Sequence, residues 1–147
     1  MNWNEILQRY DGKRVIHNGN IQHVRIEIDQ LKRTTDLYIS IFVFGFNRLR
    51  LVAEYSADKN SILIRDIETK KQDRNFGYGS TAMDVLLEIG SHINVDKYTG
   101  FLSKRDLCDP DDPEHKNRLV HFYQKSGFDV DLDNSFIERF ETENLSS

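Results

Sequence analysis

The chain has 147 residues, 38% of them hydrophobic, so a single core can form without help from disulfides or metals. Its formal net charge of −4, with both signs interspersed, argues against a nucleic-acid-binding face. The longest apolar run, residues 38–46, is far shorter than the roughly 20 residues of a membrane-spanning helix. Because Cys108 is the only cysteine, no internal disulfide can form. We expect a cytoplasmic protein with no nucleic-acid or membrane partner.

The first part of the chain predicts a short helix and four strands. Trp3, Ile6, Leu7 and Tyr10 recur at helical spacing, which indicates a helix over residues 3–10. Alternating or continuous apolar residues indicate strands at residues 23–29, 36–46, 49–55 and 61–69. The second strand has apolar residues at both odd-numbered and even-numbered positions, so it is expected to be central and covered on both faces. Short turns between the strands predict an antiparallel meander.

A helix and a fifth strand are expected next. Five apolar residues lie on one stripe of an amphipathic helix, namely Ala82, Val85, Leu86, Ile89 and Ile93. Residues 97–103 are then read as a strand. Since this strand is reached from the fourth strand through a helix, it should pair with that strand in parallel.

A second helix has clear predicted ends. Asp112 is read as its N-cap, Pro113 as its first residue, and Gly127 as a left-handed cap onto which Phe128 folds back. Two short strands, at residues 128–132 and 135–140, and a frayed tail at 141–147 complete the chain. The predicted fold is α+β, with a mixed, mainly antiparallel sheet flanked by helices in one domain over residues 1–147.

A glycine pattern lies between the fourth strand and the first long helix. Arg74, Gly77 and Gly79 read Arg-x-x-Gly-x-Gly, and a helix start of this kind can bind phosphate through amides that lack partners. Glycines that allow tight packing are the plainer explanation, and the pattern alone leaves both open. The lysine of a P-loop is missing, and the preceding meander does not fit a dinucleotide-binding fold.

The end of the second helix carries a further motif. Residues 121–128 read His-Phe-Tyr-Gln-Lys-Ser-Gly-Phe, and with the earlier glycine pattern they resemble the GNAT superfamily of N-acetyltransferases. The likeness covers residues 61–140, the half that binds acetyl-CoA in that family, and leaves residues 1–60 as a divergent acceptor-side half. It implies a coenzyme site with the pyrophosphate on backbone amides, formed by Ile67, Thr69, Arg74, Asn75, Phe76, Gly77, Tyr78, Gly79, Ser80 and Arg118.

The resemblance also implies catalytic roles. The tyrosine of the second motif commonly protonates the departing thiolate in this family, and that role falls on Tyr123, which otherwise reads as a core residue. An amine acceptor must lose a proton before it attacks, so a general base is needed. Glu68, Asp66 and Glu54 are candidates, with Glu68 first because it lies closest to the loop.

The implied function is transfer of an acetyl group from acetyl-CoA to a primary amine of a small molecule or peptide, by a monomer or homodimer. The family usually places two helices between its first strands, but residues 19–46 read as strands joined by residues 31–35. A non-catalytic acyl-CoA-binding module is therefore an alternative function. A third possible function is that of a nucleotide-binding protein unrelated to coenzyme A.

Two other groups of residues are given structural interpretations. The cluster of possible metal ligands at residues 108–115 lacks the spacing of a calcium or zinc site and is read as a solvated acidic loop, so no metal is expected. Phe42, Phe44 and Phe46 are read as core, because the basic residues of a base-stacking surface are missing between them.

Overall fold

A computed structural model describes residues 3–12, 14–17, 20–30, 36–44, 48–69 and 77–141. Its helices and strands are, in chain order, α1 (Trp3–Tyr10), β1 (Arg14–His17), β2 (Asn20–Gln30), β3 (Leu37–Phe44), β4 (Arg48–Ser56), β5 (Ser61–Thr69), α2 (Tyr78–His92), β6 (Lys97–Phe101), α3 (Lys104–Leu107), α4 (His115–Lys125), β7 (Asp129–Asp131) and β8 (Phe136–Phe140). No helix in this described part of the chain is long and apolar enough to cross a membrane.

The described strands form one eight-stranded sheet in the order β1-β2-β3-β4-β5-β6-β8-β7. All neighbours are antiparallel except β5 and β6, which run parallel and are joined through α2. The parallel pairing extends from Ser61 opposite Lys97 to Ile64 opposite Gly100. The predicted α+β fold, its mixed and mainly antiparallel sheet and the parallel fifth strand are confirmed.

One face of the sheet, called the helix face here, forms the core. On β3 it carries Ile39, Ile41 and Val43, all fully buried, because alternate side chains of a strand point to the same side. The helices α1 and α2 contact β2, β3 and β4, and α4 reaches the face through Phe122, which lies beside Leu49 and Gly79. Of the stripe predicted on α2, Ala82, Val85, Leu86 and Ile89 are buried here, whereas Ile93 follows the helix and is partly buried.

The opposite face, called the open face here, corrects one prediction. Phe42 and Phe44 are only half-buried there, so the expected coverage of both faces fails at these two residues, although Ser40 on the same face is buried. The assignment of the two rings to the core is wrong. Phe46 lies outside the described residues. The guanidinium groups of Arg25 and Arg50 lie 5.8 and 5.6 Å from the Phe42 ring centroid, so long arginine side chains shield part of this ring from solvent.

The N-terminal helix agrees with its predicted range, and its Ile6 and Tyr10 are buried in the core. The strand β1 was missed. His17 pairs with Asn20, so β1 and β2 are separated by the two residues Asn18-Gly19, and Asn-Gly between two strands is a strong hairpin signal. The predicted connection at residues 31–35 lies outside the described residues, as does the predicted tail beyond residue 141.

The ends of α4 show one correct and one wrong prediction. Gly127 is left-handed with φ 87°, and the amide of Phe128 donates to the Tyr123 carbonyl at 3.0 Å, which confirms the Schellman ending. The helix begins at His115 after Glu114, however, and not at Pro113. Asp112 is not the cap because its carboxylate is paired with the guanidinium group of Arg118.

The strand β6 ends at Phe101, two residues before its predicted end. Ser103 instead caps the short helix α3: its hydroxyl accepts from the Asp106 amide at 3.0 Å, and the Asp106 carboxylate accepts from the Ser103 amide at 2.8 Å. This reciprocal capping box fixes Asp106 in place close to α4.

Candidate functional site

A cavity of about 470 Å³ opens where β5 and β6 separate. The two strands are hydrogen-bonded only as far as Ile64 and Gly100, while β5 continues to Thr69. The cavity is lined by this free part of β5, by the start of α2, by the segment that follows β6 and by α4. The divergence of two parallel strands therefore creates the space, and two helices flank it.

The start of α2 gives this cavity backbone amides. Gly77 has φ 80°, a left-handed conformation that favours glycine, and the first helical hydrogen bond runs from the Thr81 amide to the Gly77 carbonyl at 3.0 Å. The amides of Gly79 and Ser80 precede that bond, and no side chain among the described residues caps the helix. Unpaired amides together with the positive end of the helix dipole favour an anion at this position.

Gly79 has a packing role as well. A Cβ atom added there would lie 3.4 Å from a ring carbon of Phe122 and 3.8 Å from a methyl of Leu49. The glycine therefore allows α4 and β4 to approach the first turn of α2. The phosphate-binding and packing explanations of the pattern are compatible, since Gly77 sets the backbone direction and Gly79 allows the close approach.

The structure describes only some of the residues that are predicted to bind the coenzyme. Ile67, Gly77, Tyr78, Gly79, Ser80 and Arg118 line the cavity. Tyr78 is nearly fully buried, so its side chain is mainly a core group. Thr69 ends β5 and its side chain is not described, while Arg74, Asn75 and Phe76 lie outside the described residues.

Tyr123 lies in the wall of the same cavity and is 7% exposed. Burial raises the pKa of its hydroxyl, and the nearby carboxylates of Asp106 and Asp66 raise it further. Its ring packs edge-on against Phe122 and Phe128, at centroid distances of 5.3 and 5.6 Å. The residue is thus both a packed core group and a neutral hydrogen-bond donor in the cavity.

The structure separates the candidate bases. Asp66 lines the cavity, whereas Glu68 lies directly opposite Arg50 on the open face and lines a different cavity. Glu54 pairs with Arg65 at 3.0 Å. Glu68 and Tyr123 are therefore not brought together, because Glu68 lies beside Arg50 on the open face and Tyr123 lies in the wall of the cavity between β5 and β6.

Sequence reasoning missed a histidine–carboxylate pair in the cavity wall. The Nε2 atom of His115 lies 3.4 Å from Oδ1 of Asp106, and both side chains are partly buried. The available signal was Ser103-x-x-Asp106, a capping-box pattern that fixes the carboxylate. Over the described ranges, no three His, Cys, Asp or Glu side chains are grouped to hold a metal ion.

The order of strands and the position of the cavity define a known fold class. Nourseothricin acetyltransferase shares the fold over 93% of this chain and 92% of its own, with a TM-score of 0.54 and 11% identity. A chimera of the Vibrio cholerae spermidine N-acetyltransferase SpeG and hSSAT does so over 80% and 74%, with a TM-score of 0.50 and 12% identity. The chain therefore has the fold of the GNAT acetyltransferases.

Comparison of the sequence with known proteins gives less information than comparison of the structures. No protein-family model matches the chain. Among curated proteins, the uncharacterized protein YocC of Bacillus subtilis strain 168 is 41% identical over 83 residues, which are 56% of this chain and 44% of YocC. The chain thus spans less than half the length of that relative.

Proposed function

We propose that the protein transfers the acetyl group of acetyl-CoA to a primary amine. One observation carries the proposal: a single cavity joins the uncapped start of α2, at Gly77 to Ser80, to the hydroxyl-bearing side chain of Tyr123. An anion-binding end and a proton-donating group within one cavity are what a coenzyme A thioester requires. The acetyltransferase fold supports the same reaction class.

The binding roles follow from the cavity walls. The amides of Gly79 and Ser80 would hold the coenzyme pyrophosphate, with Arg118 close enough to add a positive charge. The backbone of residues 65–67 has no strand partner on the β6 side and lines the cavity. Its unpaired groups would hydrogen-bond to the amides of the pantetheine arm.

The chemical step makes one bond and breaks another. The neutral amine attacks the thioester carbonyl carbon, the new C–N bond forms, and the C–S bond breaks to release the thiolate. The amine gives up one proton and the thiolate gains one. A tyrosine hydroxyl has an ordinary pKa near 10, which burial raises further at Tyr123, so it is protonated at neutral pH. We assign it as the hydrogen-bond donor that stabilises the developing thiolate.

The base that takes the amine proton must lie in the same cavity as the reacting amine. Asp66 and the His115–Asp106 pair lie there, and Glu68 does not. Histidine is suited to the task because its ordinary pKa is near neutrality. We therefore assign His115 as the base, held by Asp106, and leave Asp66 to attract the positively charged acceptor. The acceptor is proposed to be a small molecule or peptide.

Two measurements test the proposal in sequence. Acetyl-CoA at about one hundred times its dissociation constant should stabilise the protein by about 2.7 kcal/mol, seen as a rise in melting temperature. Release of free thiol is then followed with a panel of amines, peptides and aminoglycosides. Absence of any melting shift would reject a coenzyme site. A shift without acetylation of any amine would favour the non-catalytic acyl-CoA-binding module.

A further inference from the structure

A second cavity, of about 520 Å³, lies on the open face of the sheet. We call it the arginine cavity, because three of its lining residues are Arg25, Arg48 and Arg50. Phe42, Phe44 and Glu68 complete its polar and aromatic wall. It shares Leu49 with the cavity between β5 and β6, and none of its arginines lines that first cavity.

Strand register assembles these side chains from four different strands. Arg25 lies opposite Phe42, Phe42 opposite Arg50, and Arg50 opposite Glu68, so the four form one row across β2, β3, β4 and β5. Arg48 lies opposite Phe44 in the next row. The basic residues that are missing between the phenylalanines along β3 are therefore supplied by its neighbours.

The arginines of this row are unequally paired. Arg25 is bound to Glu27 at 2.5 Å. Within the part of the chain that the structure describes, the Arg50 side chain donates only to the Ser40 hydroxyl, at a long 3.4 Å, and its Nε atom is shielded from solvent without an acceptor. The exposed side chain of Arg48 makes no ion pair or hydrogen bond with the described residues. A shielded N–H of a charged group that lacks an acceptor is costly, and an arriving anion would relieve that cost.

We propose that the arginine cavity binds the carboxylate or phosphate group of a small molecule. Arg48 and Arg50 present planar guanidinium groups, which suit two-pronged hydrogen bonding to such groups. Phe42 and Phe44 lie nearly parallel, at 9° and 6.0 Å between centroids, and offer an apolar floor for the body of the ligand. Glu27 pairs with Arg25 and Glu68 lines the same cavity, so the three arginines exceed the nearby carboxylates by one positive charge.

The anionic group can come from a free small molecule or from a phosphate of a coenzyme bound in the first cavity, since Leu49 lines both cavities. The free small molecule is the source we favour, because none of the three arginines lines the first cavity. The two sources can be told apart by comparing coenzyme A with dephospho-CoA, which lacks the ribose phosphate.

The test is an NMR titration of the labelled protein with phenyl phosphate, benzoate and inorganic phosphate. We expect saturable shifts of amides on β2 to β5 and of the Arg50 Nε–H signal. Arg48→Gln removes an exposed charge and should weaken binding about tenfold, the loss of one charge-assisted contact. Arg9→Gln removes the same charge from α1, which packs on the helix face, and should leave binding unchanged.

The outcomes decide the proposal. If no probe saturates, or if Arg48→Gln and Arg9→Gln bind the probes equally, the site does not exist. If probe binding persists with saturating coenzyme A, the occupant is a free small anion. If coenzyme A abolishes probe binding and dephospho-CoA does not, the arginine cavity binds an anion that belongs to the coenzyme. Arg50→Gln serves as a second variant, with its melting temperature measured to exclude loss of folding.

Discussion

Nε2 of His115 lies 3.4 Å from Oδ1 of Asp106 in the wall of the cavity that Tyr123 also lines. The Asp106 carboxylate is itself fixed by the Ser103 amide at 2.8 Å. A carboxylate on one ring nitrogen orients an imidazole and leaves the other nitrogen to accept a proton. The cap of a four-residue helix thus positions a histidine on the next helix.

Replacing His115 tests its role as the base. His115→Gln should lower kcat/KM about a hundredfold with an acetylated amine and remove the fall in rate on the acidic side of the pH profile. Binding of acetyl-CoA should not change, as measured by calorimetry. Lys116→Gln, at the next and exposed position, is the control. An unaltered pH profile in the His115 variant would mean that another group takes the proton from the amine, and Asp66 would be the next candidate.

The Tyr123 hydroxyl can be removed without disturbing its packing. Tyr123→Phe keeps the ring contacts with Phe122 and Phe128, so the melting temperature should hold within about a degree or two. Turnover should fall at least tenfold with acetyl-CoA affinity unchanged, because the lost hydrogen bond forms only as the thiolate develops. Tyr55→Phe removes a hydroxyl that contacts Asn60 instead and should have no such effect. Equal turnover in the two variants would leave Tyr123 a core residue.

Much of the fold was predictable because local signals agreed with long-range pairing. The periodicity of residues 3–10 and the Gly127-Phe128 ending each gave the correct element. Errors arose where neighbours decide the outcome. The exposure of Phe42 depends on arginines from β2 and β4, and the role of Asp112 depends on Arg118 within the following helix. No periodicity along one segment reports such contacts.

The candidate site was predictable to a smaller extent. Gly77, Gly79 and Tyr123 line one cavity, as a motif-based argument can suggest. Nearness to the loop in sequence favours Glu68 as the base, but its register opposite Arg50 places it in the other cavity, on the open face. His115 and Asp106 meet only because α3 and α4 pack together.

Gly77 offers a test of the helix start with a matched control. Its φ of 80° means that Gly77→Ala should cost about 1–2 kcal/mol of stability. Gly12, with φ 77° and no atom within 4 Å of an added Cβ, should lose a similar amount as Gly12→Ala. Urea unfolding measures both losses. Only Gly77→Ala should also weaken acetyl-CoA binding, because only that residue orients the amides of the cavity. Equal affinity in the two variants would separate the glycine from coenzyme binding.

Gly90 tests how α2 is held against the sheet. A Cβ atom added there would lie 1.9 Å from the Tyr98 hydroxyl, and Tyr98 is fully buried with that hydroxyl donating to the Leu87 carbonyl at 3.2 Å. Gly90→Ala should therefore destabilise the protein by about 1–3 kcal/mol, although alanine favours helices. Ser91→Ala, at the adjacent exposed position, should be neutral or slightly stabilising. A stabilised Gly90→Ala variant would mean that α2 is free to move away from β6.

Buried tyrosines make the stability sensitive to alkaline pH. Burial raises the pKa of Tyr98 and of Tyr123 above the ordinary value near 10. Below that pH both groups are neutral in the folded and unfolded chain, so they add no pH dependence. Above it the unfolded chain loses protons that the folded chain keeps, so the free energy of unfolding falls as pH rises.

Each such tyrosine can contribute a slope of up to about 1.4 kcal/mol per pH unit above pH 10. Urea unfolding at several pH values from about 8 to 11 should show a flat region followed by this decline. Tyr123→Phe should make the decline shallower by the contribution of one group. Absorbance of ionised tyrosine provides an independent check, since Tyr98 and Tyr123 should ionise only as the protein unfolds. An identical slope in the wild type and Tyr123→Phe would show that Tyr123 ionises in the folded protein as an exposed tyrosine does, and that burial does not raise its pKa.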